Sequence, residues 1–361
     1  MDRILYILLV VLLFGVLIAI HEFGHFCTAK LLKVKVNEFS IGMGPLIWKR
    51  TRGETQYSLR ALPVGGYCAM EGEDEDTGDP RAFACQPLWK KFIILVAGSL
   101  MNFLLGLVIV VVLFWGSSEE MSPVIQDFAE GFPSQLQGEQ GLQAGDRLLR
   151  IDGHAVWVYE DINLFLSRND GEGMDLVVLR DGQRVQLRDF PLERAEYSYQ
   201  GQAYTGFGLI FGGVEEVSFL GQLKLSFLRT LDFVRVVWMS LGDLVTGHVG
   251  ISEMSGVIGI VDVVSQAGTQ AGSLAVGVWN VFYYMALIAV NLAVMNLLPI
   301  PALDGGRIAF LLLNGLVHLL FRRTIPEQVE GYIHAAFLLL LLVFMAVIAV
   351  QDVWKIFLEV H

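Results

Sequence analysis

Residues 4–20 form a run of 17 side chains without a single charge, and the run leads straight into His21-Glu22-Phe23-Gly24-His25. An apolar run of this length is read as a membrane-spanning helix, because backbone polar groups in lipid must bond within their own segment. Three ionisable residues at the end of such a helix are unfavourable unless something uses them. His21 and His25 are four apart and share a helix face, so both imidazoles can reach one ion. Glu22, next door, is placed to act on a metal-bound water rather than on the metal. The bland alternative is a polar helix end that merely caps the span. A true metal site must also supply a third ligand and admit water.

The rest of the composition fits the opening run. Of 361 residues, 54% are hydrophobic and only 17% charged, which excludes an ordinary soluble domain pair and points to a polytopic membrane protein with water-exposed segments. The net charge of −12 argues against nucleic acid as a partner. Three cysteines, Cys27, Cys68 and Cys85, lack C-x-x-C spacing and give no disulfide framework; Cys27, close to His25, reads as small buried filler rather than as a ligand. The first apolar run ends without a small-x-small cleavage site, so it reads as a retained span. Spans are expected at 4–30, 92–115, 278–298 and 335–353. Residues 219–245 mix Lys224, Arg229, Asp232 and Arg235 with large apolar side chains and read as an interfacial amphipathic helix.

Lys and Arg cluster in 31–91 and again at Arg307, Arg322 and Arg323, whereas 116–277 carries 22 acidic against 10 basic residues. By the positive-inside rule the first two regions are cytosolic and the third is outside. The expected organisation is a helix bearing the histidines (1–30), a cytosolic loop (31–91), a second span (92–115), an outer domain (116–200), an outer interfacial region (201–277), a third span (278–307), a cytosolic loop (308–334) and a fourth span with its tail (335–361). Within the first loop, 34–41, 46–49 and 55–62 favour strands, with turns at Gly42-Met43-Gly44-Pro45 and Arg52-Gly53-Glu54. Such a hairpin either offers an edge strand to an extended substrate or packs structurally on the helices. Residues 71–79 read as a solvated acidic loop.

Gly116-Ser117-Ser118-Glu119-Glu120 reads as a linker, followed by a compact unit at 122–192. Strands are expected at 123–128, 175–180 and 183–190, a helix at 159–168, and a hairpin turn at Asp181-Gly182. The string from Gly141 to Gly153, G-L-x-x-G-D-x-x-x-x-I-D-G, resembles a protease-associated PDZ domain. That resemblance implies binding of an extended peptide or chain end by strand addition.

The third span ends in Asn296-Leu297-Leu298-Pro299-Ile300-Pro301-Ala302-Leu303-Asp304-Gly305-Gly306. Two prolines cannot continue a helix, the glycines permit a tight turn, and broken backbone at membrane depth is tolerated where it lines a watery cavity. A carboxylate is a normal zinc partner for two histidines. Spans one and three run in the same direction, so Asp304 arrives at the same side and a similar depth as His21 and His25.

Taken together, H-E-F-G-H on the first span, the G-M-G-P hairpin, the PDZ-like insert and N-L-L-P-I-P-A-L-D-G-G on the third resemble the site-2 protease family of intramembrane metalloproteases, of the bacterial RseP type. The resemblance implies a polytopic α-helical membrane protein with four transmembrane helices, a cytosolic-side membrane-associated β-hairpin and an inserted extracytoplasmic PDZ-like α+β domain, in a bacterial inner membrane. It implies Zn2+ held by His21, His25 and Asp304, with Glu22 as catalytic base. Asn296 and Asn291 would contact an unwound substrate backbone or, failing that, hydrogen-bond between helices; Gly42 and Gly44 would guide substrate. The implied activity is cleavage of single-span proteins, such as an anti-sigma factor or a signal-peptide remnant, in or near the bilayer. A catalytically idle scaffold acting through its PDZ unit is the alternative. Two motifs depart from the family's pattern by losing a proline: Ala97-Gly98-Ser99-Leu100-Met101-Asn102, and Ser255-Gly256-Val257-Ile258-Gly259-Ile260.

Overall fold

The computed structural model describes residues 3–73, 78–168, 173–250, 254–323 and 325–359. The middle of the acidic run at 71–79 lies outside the described residues. Two compact units emerge: Met1–Leu113 with Phe233–His361, and Phe114–Asp232.

The first unit is helical. α1 (Arg3–Leu31), α2 (Leu88–Leu113), α6 (Leu274–Asn296), α7 (Asp304–Phe321) and α8 (Glu327–Glu359) are, among the described residues, long and apolar enough to cross a membrane. α5 (Val257–Thr269) is apolar but shorter. The five candidate helices exceed the expected four by α7. Residues 308–321, expected within a loop, are helical; Asn314 and His318 interrupt their apolar run, which falls short of the roughly 20 residues read as a span.

Lipid tails are as apolar as leucine, so membrane helices pack where small residues let backbones approach. A Cβ added at Gly24 of α1 would sit 2.4 Å from the Ala97 carbonyl oxygen of α2, and one at Gly106 of α2 would sit 2.7 Å from Val290 of α6. Tyr6 fills a slot against Gly268 of α5 and Gly277 of α6 and joins Val10, Leu17, Val264, Val281 and Met285 in a shared core. The Ser255–Ile260 motif also finds its reason. Asp352 of α8, 1% exposed, accepts hydrogen bonds from the Gly256 and Gly259 backbones at 3.0 and 2.9 Å, capping α5 from another helix. A Cβ at either glycine would lie 2.9 Å from that carboxylate.

Between α1 and α2 lie β1 (Val36–Arg52) and β2 (Thr55–Met70). The expected turn at Arg52-Gly53-Glu54 is present, with Gly53 at φ +65°. The expected turn at Gly42-Met43-Gly44-Pro45 is not a turn. It is a bend inside β1, with Gly42 and Gly44 at φ +83° and +82°, so the two strands fold into a wider sheet. Residues 36–41 pair with 66–70 on one side and with 56–59 on the other, while 46–52 pair back onto 55–60. The sheet edges are therefore 46–52 and 66–70.

The second unit is mainly β. β3 (Glu119–Met121) pairs with β12 (Val214–Glu216), so the expected linker contributes a strand. β4 (Ile125–Phe128) pairs with β11 (Leu209–Phe211), and β9 (Ala195–Tyr199) with β10 (Gln202–Gly206). A four-stranded sheet has the order β6 (His154–Ala155), β5 (Arg147–Ile151), β7 (Met174–Arg180), β8 (Gln183–Phe190), with the hairpin at Asp181-Gly182 and α3 (Glu160–Leu166) alongside. Asp146, fully buried, accepts from Arg180 Nε and Nη2 at 2.8 and 2.7 Å and from the Gln143 backbone. This ties the G-L-x-x-G-D string to the R-D-G hairpin. α4 (Phe219–Thr246) is a single helix outside the set of candidate spans; Arg229 on it is buried between Glu120, Glu160 and the Phe114 ring.

Candidate metal centre

α1 is about 44 Å long, and His21 lies about 27 Å along it from Arg3. With a hydrocarbon core of about 30 Å, the His21–His25 turn falls near the far end of the span. Both histidines point inward and are 9% and 7% exposed. His25 Nδ1 lies 2.8 Å from the Ile94 carbonyl of α2, which fixes the proton on Nδ1 and leaves the Nε2 lone pair free.

The chain then breaks at the end of α6 and delivers Asp304 to the same point. Asp304 opens α7, where the helix N-terminus favours a carboxylate. Its Oδ2 lies 3.0 Å from His21 Nε2 and 3.2 Å from His25 Nε2, and the two Nε2 atoms are 3.2 Å apart. Despite that proximity Asp304 Oδ2 makes no hydrogen bond of normal geometry. The three atoms lie close enough together to share one ion. Tetrahedral zinc with ligand distances of about 2.0–2.2 Å needs its donors about 3.3 Å apart, so this donor set fits zinc. Among the described residues it is the group of histidine, cysteine and acidic side chains that converges in this way, and Cys27 is not part of it.

Glu22 sits beside this centre, and the sheet reaches it. A Cβ at Gly66, on the 66–70 edge, would lie 3.5 Å from Glu22 Cγ. Gly42 adjoins Gly66, its backbone nitrogen 4.0 Å from that Cβ position, and Gly44 packs against Leu62. Asn296 is the last residue of α6 and half-buried; Asn291 is exposed. Five residues on a helix turn about 140°, so the two asparagines do not face one point.

Three features escaped the sequence. The first is Gly98 of α2. A Cβ there would sit 2.4 Å from His25 Nε2 and 2.8 Å from His21 Cε1, so this glycine is the wall on which both imidazoles rest. A small residue in a span signals close packing, but nothing in the chain says against what. The second is the ion pair of Arg307 with Glu73, which ties the first turn of α7 to the segment after β2. The third concerns the glycines after Asp304. The left-handed residue of the break is Ala302, at φ +83°; Gly305 and Gly306 are helical and are needed because Cβ atoms would strike the Leu298 and Ile300 carbonyls at 2.2 and 2.3 Å.

A cluster of two imidazoles and a carboxylate inside a group of membrane-length helices defines a membrane-embedded metalloprotein. Comparison with known proteins narrows the class. The sequence pattern of peptidase family M50 matches residues 9–344. A protein of Clostridium acetobutylicum that carries a zinc metalloprotease name is 34% identical over 348 residues, covering 96% of this chain and 97% of the relative. A similarly named protein of Fusobacterium nucleatum is 32% identical, covering 97% and 99%. Zinc metalloprotease RasP of Shouchella clausii is 28% identical, covering 96% and 98%. The chain belongs to peptidase family M50, the site-2 proteases. It is a multi-pass membrane metalloendopeptidase, and its cofactor is Zn2+.

Proposed function

We propose that the protein cleaves single-span membrane proteins within or near their membrane segment, with His21, His25 and Asp304 as the zinc ligands and Glu22 as the catalytic base. The observation that carries this reading is the meeting of His21 Nε2, His25 Nε2 and Asp304 Oδ2 within 3.2 Å, beside Glu22. Bound zinc supplies Lewis-acid activation of water and of the scissile carbonyl. Glu22 takes the proton of the attacking water and returns it to the leaving amine. Gly98 and the Ile94 carbonyl keep the imidazoles aimed.

A transmembrane substrate hides its carbonyls in helical hydrogen bonds and must unwind before it can react. The 66–70 edge beside Glu22 is better placed than Gly42 and Gly44 to pair with the unwound stretch, and Asn296 is better placed than Asn291 to hold it. The metal centre faces the cytosol, and the 116–200 region is an outer PDZ-like domain that takes a peptide or chain end. An anti-sigma factor or a signal-peptide remnant would suit as substrate.

The test is a Glu22→Gln protein expressed in its native membrane. The variant is expected to keep its zinc, lose cleavage and retain intact single-span proteins that the wild type converts to fragments. Near-normal proteolysis by this variant refutes the mechanism. Retained partners that the wild type never cleaves would return the idle-scaffold alternative.

A further inference from the structure

α8 turns many of its large apolar side chains outward, Leu338, Leu339, Leu340 and Leu342 among them, yet one polar contact takes it to the metal centre. His334 Nδ1 lies 2.9 Å from the backbone nitrogen of Ala302, in the broken stretch that ends at Asp304. The backbone donors of this stretch can be accounted for one by one. Pro299 and Pro301 have none. Ile300 donates to the Leu298 carbonyl at 2.7 Å, and Leu303 to the Ile300 carbonyl at 3.1 Å. Ala302 alone donates outside the stretch, and His334 accepts.

Ala302 is also where the backbone is strained. Its φ of +83° is a conformation that an L-residue adopts at a penalty of about 1–2 kcal/mol. Such a residue holds its shape only when its surroundings impose it. Because the Ala302 N–H donates, Nδ1 carries a lone pair and the ring proton sits on Nε2. The ring is seated against Phe310 of α7, with centroids 5.3 Å apart. Two residues after Ala302, Asp304 has to place one oxygen within 3.2 Å of both histidine Nε2 atoms.

We propose that His334 is a positioning residue for Asp304: its imidazole lone pair pins the Ala302 N–H, fixes the left-handed bend and so aims the carboxylate at His21 and His25. The proposal rests on the reading of Asp304 as a zinc ligand. A ring that only filled space between α7 and α8 would stabilise the fold without tuning the metal.

Zinc itself is the probe. Full-length protein in detergent is stripped of metal, and its zinc affinity is read against a competing chelator, with melting of the metal-free protein as the fold control. His334→Phe keeps a ring on Phe310 and removes the acceptor. It is expected to weaken zinc about tenfold or more, the usual effect of losing a partner one step behind a ligand, while metal-free melting falls by no more than the loss of one half-buried hydrogen bond. His334→Gln, whose amide oxygen can accept from Ala302, is expected to recover most of the loss. In an Asp304→Ala background, His334→Phe is expected to add nothing.

Unchanged zinc affinity in His334→Phe, with Asp304→Ala weakened, overturns the positioning role and leaves Asp304 a ligand. Unchanged affinity in Asp304→Ala overturns the ligand reading and this proposal with it. An added loss in the Asp304→Ala background overturns the proposal too, because His334 would then act elsewhere. If the Phe variant does not fold, His334→Ala replaces it, with the same loss and the same rescue by Gln expected.

Discussion

Gly98→Ala adds one methyl group to the wall behind both imidazoles. Its Cβ would lie 2.4 Å from His25 Nε2, 2.7 Å from His25 Cε1 and 2.8 Å from His21 Cε1, where ordinary contact begins at 3.4 Å. Either α2 backs away from α1 or the His25 ring moves, and relief takes about 1 Å in a packed interior that yields little. The first route pulls apart the close packing of Gly24 of α1 on the Ala97 carbonyl of α2 and forfeits those contacts. The second breaks the His25–Ile94 hydrogen bond and moves a metal donor by far more than the roughly 0.2 Å that ligation tolerates. Overpacking of this kind destabilises by about 1–3 kcal/mol. Zinc affinity is expected to fall at least tenfold, about 1.4 kcal/mol. The assay is metal content of the purified protein together with chelator competition, and Gly106→Ala serves as control. That change creates a similar clash on the same helix, 2.7 Å from Val290, but away from the metal centre. It should lower the melting temperature and spare zinc affinity. Full zinc occupancy with wild-type affinity in Gly98→Ala would refute the claim that the glycine positions the histidines.

Further outcomes are expected elsewhere. Burial pushes the Cys68 thiol well above its ordinary range, and Glu22 and Glu73 add to it, so Cys68 should resist maleimide at pH 7–8 in the folded protein while exposed Cys85 labels; rapid labelling of Cys68 would contradict its burial. Burial alone would raise the Glu120 carboxyl, but hydrogen bonds from Arg229 and Gln222 outweigh it and hold the group below its ordinary value of 4.5. A depressed carboxyl contributes stability that is present above that ordinary value and lost as pH falls through the folded one. Proteolysis of the 114–232 unit in the intact protein should therefore accelerate on acidification below about pH 4.5. A Glu120→Gln protein showing the same acid response would remove this pair as the cause. Asp352→Ala leaves two α5 backbone donors without a partner and should destabilise by about 1–3 kcal/mol, read as a lower melting temperature in detergent; an unchanged melt would show that the cap is dispensable.

Much of the centre was legible because its parts obey short-range rules. Helical spacing alone put His21 and His25 on one face, and the two prolines alone required a break before Asp304. Reading Lys and Arg near the spans brought the two motifs together, although 279 residues separate His25 from Asp304. In the second unit the β7–β8 hairpin was visible in its turn, because Asp181-Gly182 is a local signal, whereas the strands at 195–216, part of them expected in an interfacial region, were not. The bend at Gly42–Gly44 was not, because glycines at positive φ serve a turn and a bent strand equally well.

The sequence by itself located four of the five described helices long enough and apolar enough to cross a membrane, and it singled out the residues that can ligate a metal and the carboxylate beside them. These follow from hydropathy, helical period and side-chain chemistry, all properties of neighbours in the chain. Only the tertiary structure decided what supports the site: Gly98 behind the imidazoles, the Ile94 carbonyl on His25, Gly66 at the edge beside Glu22, His334 on the Ala302 N–H, and Asp352 capping α5. In each case a residue acts through an atom of another element. Close approach and hydrogen bonding across helices depend on which faces meet, and a single sequence does not encode that in any local pattern.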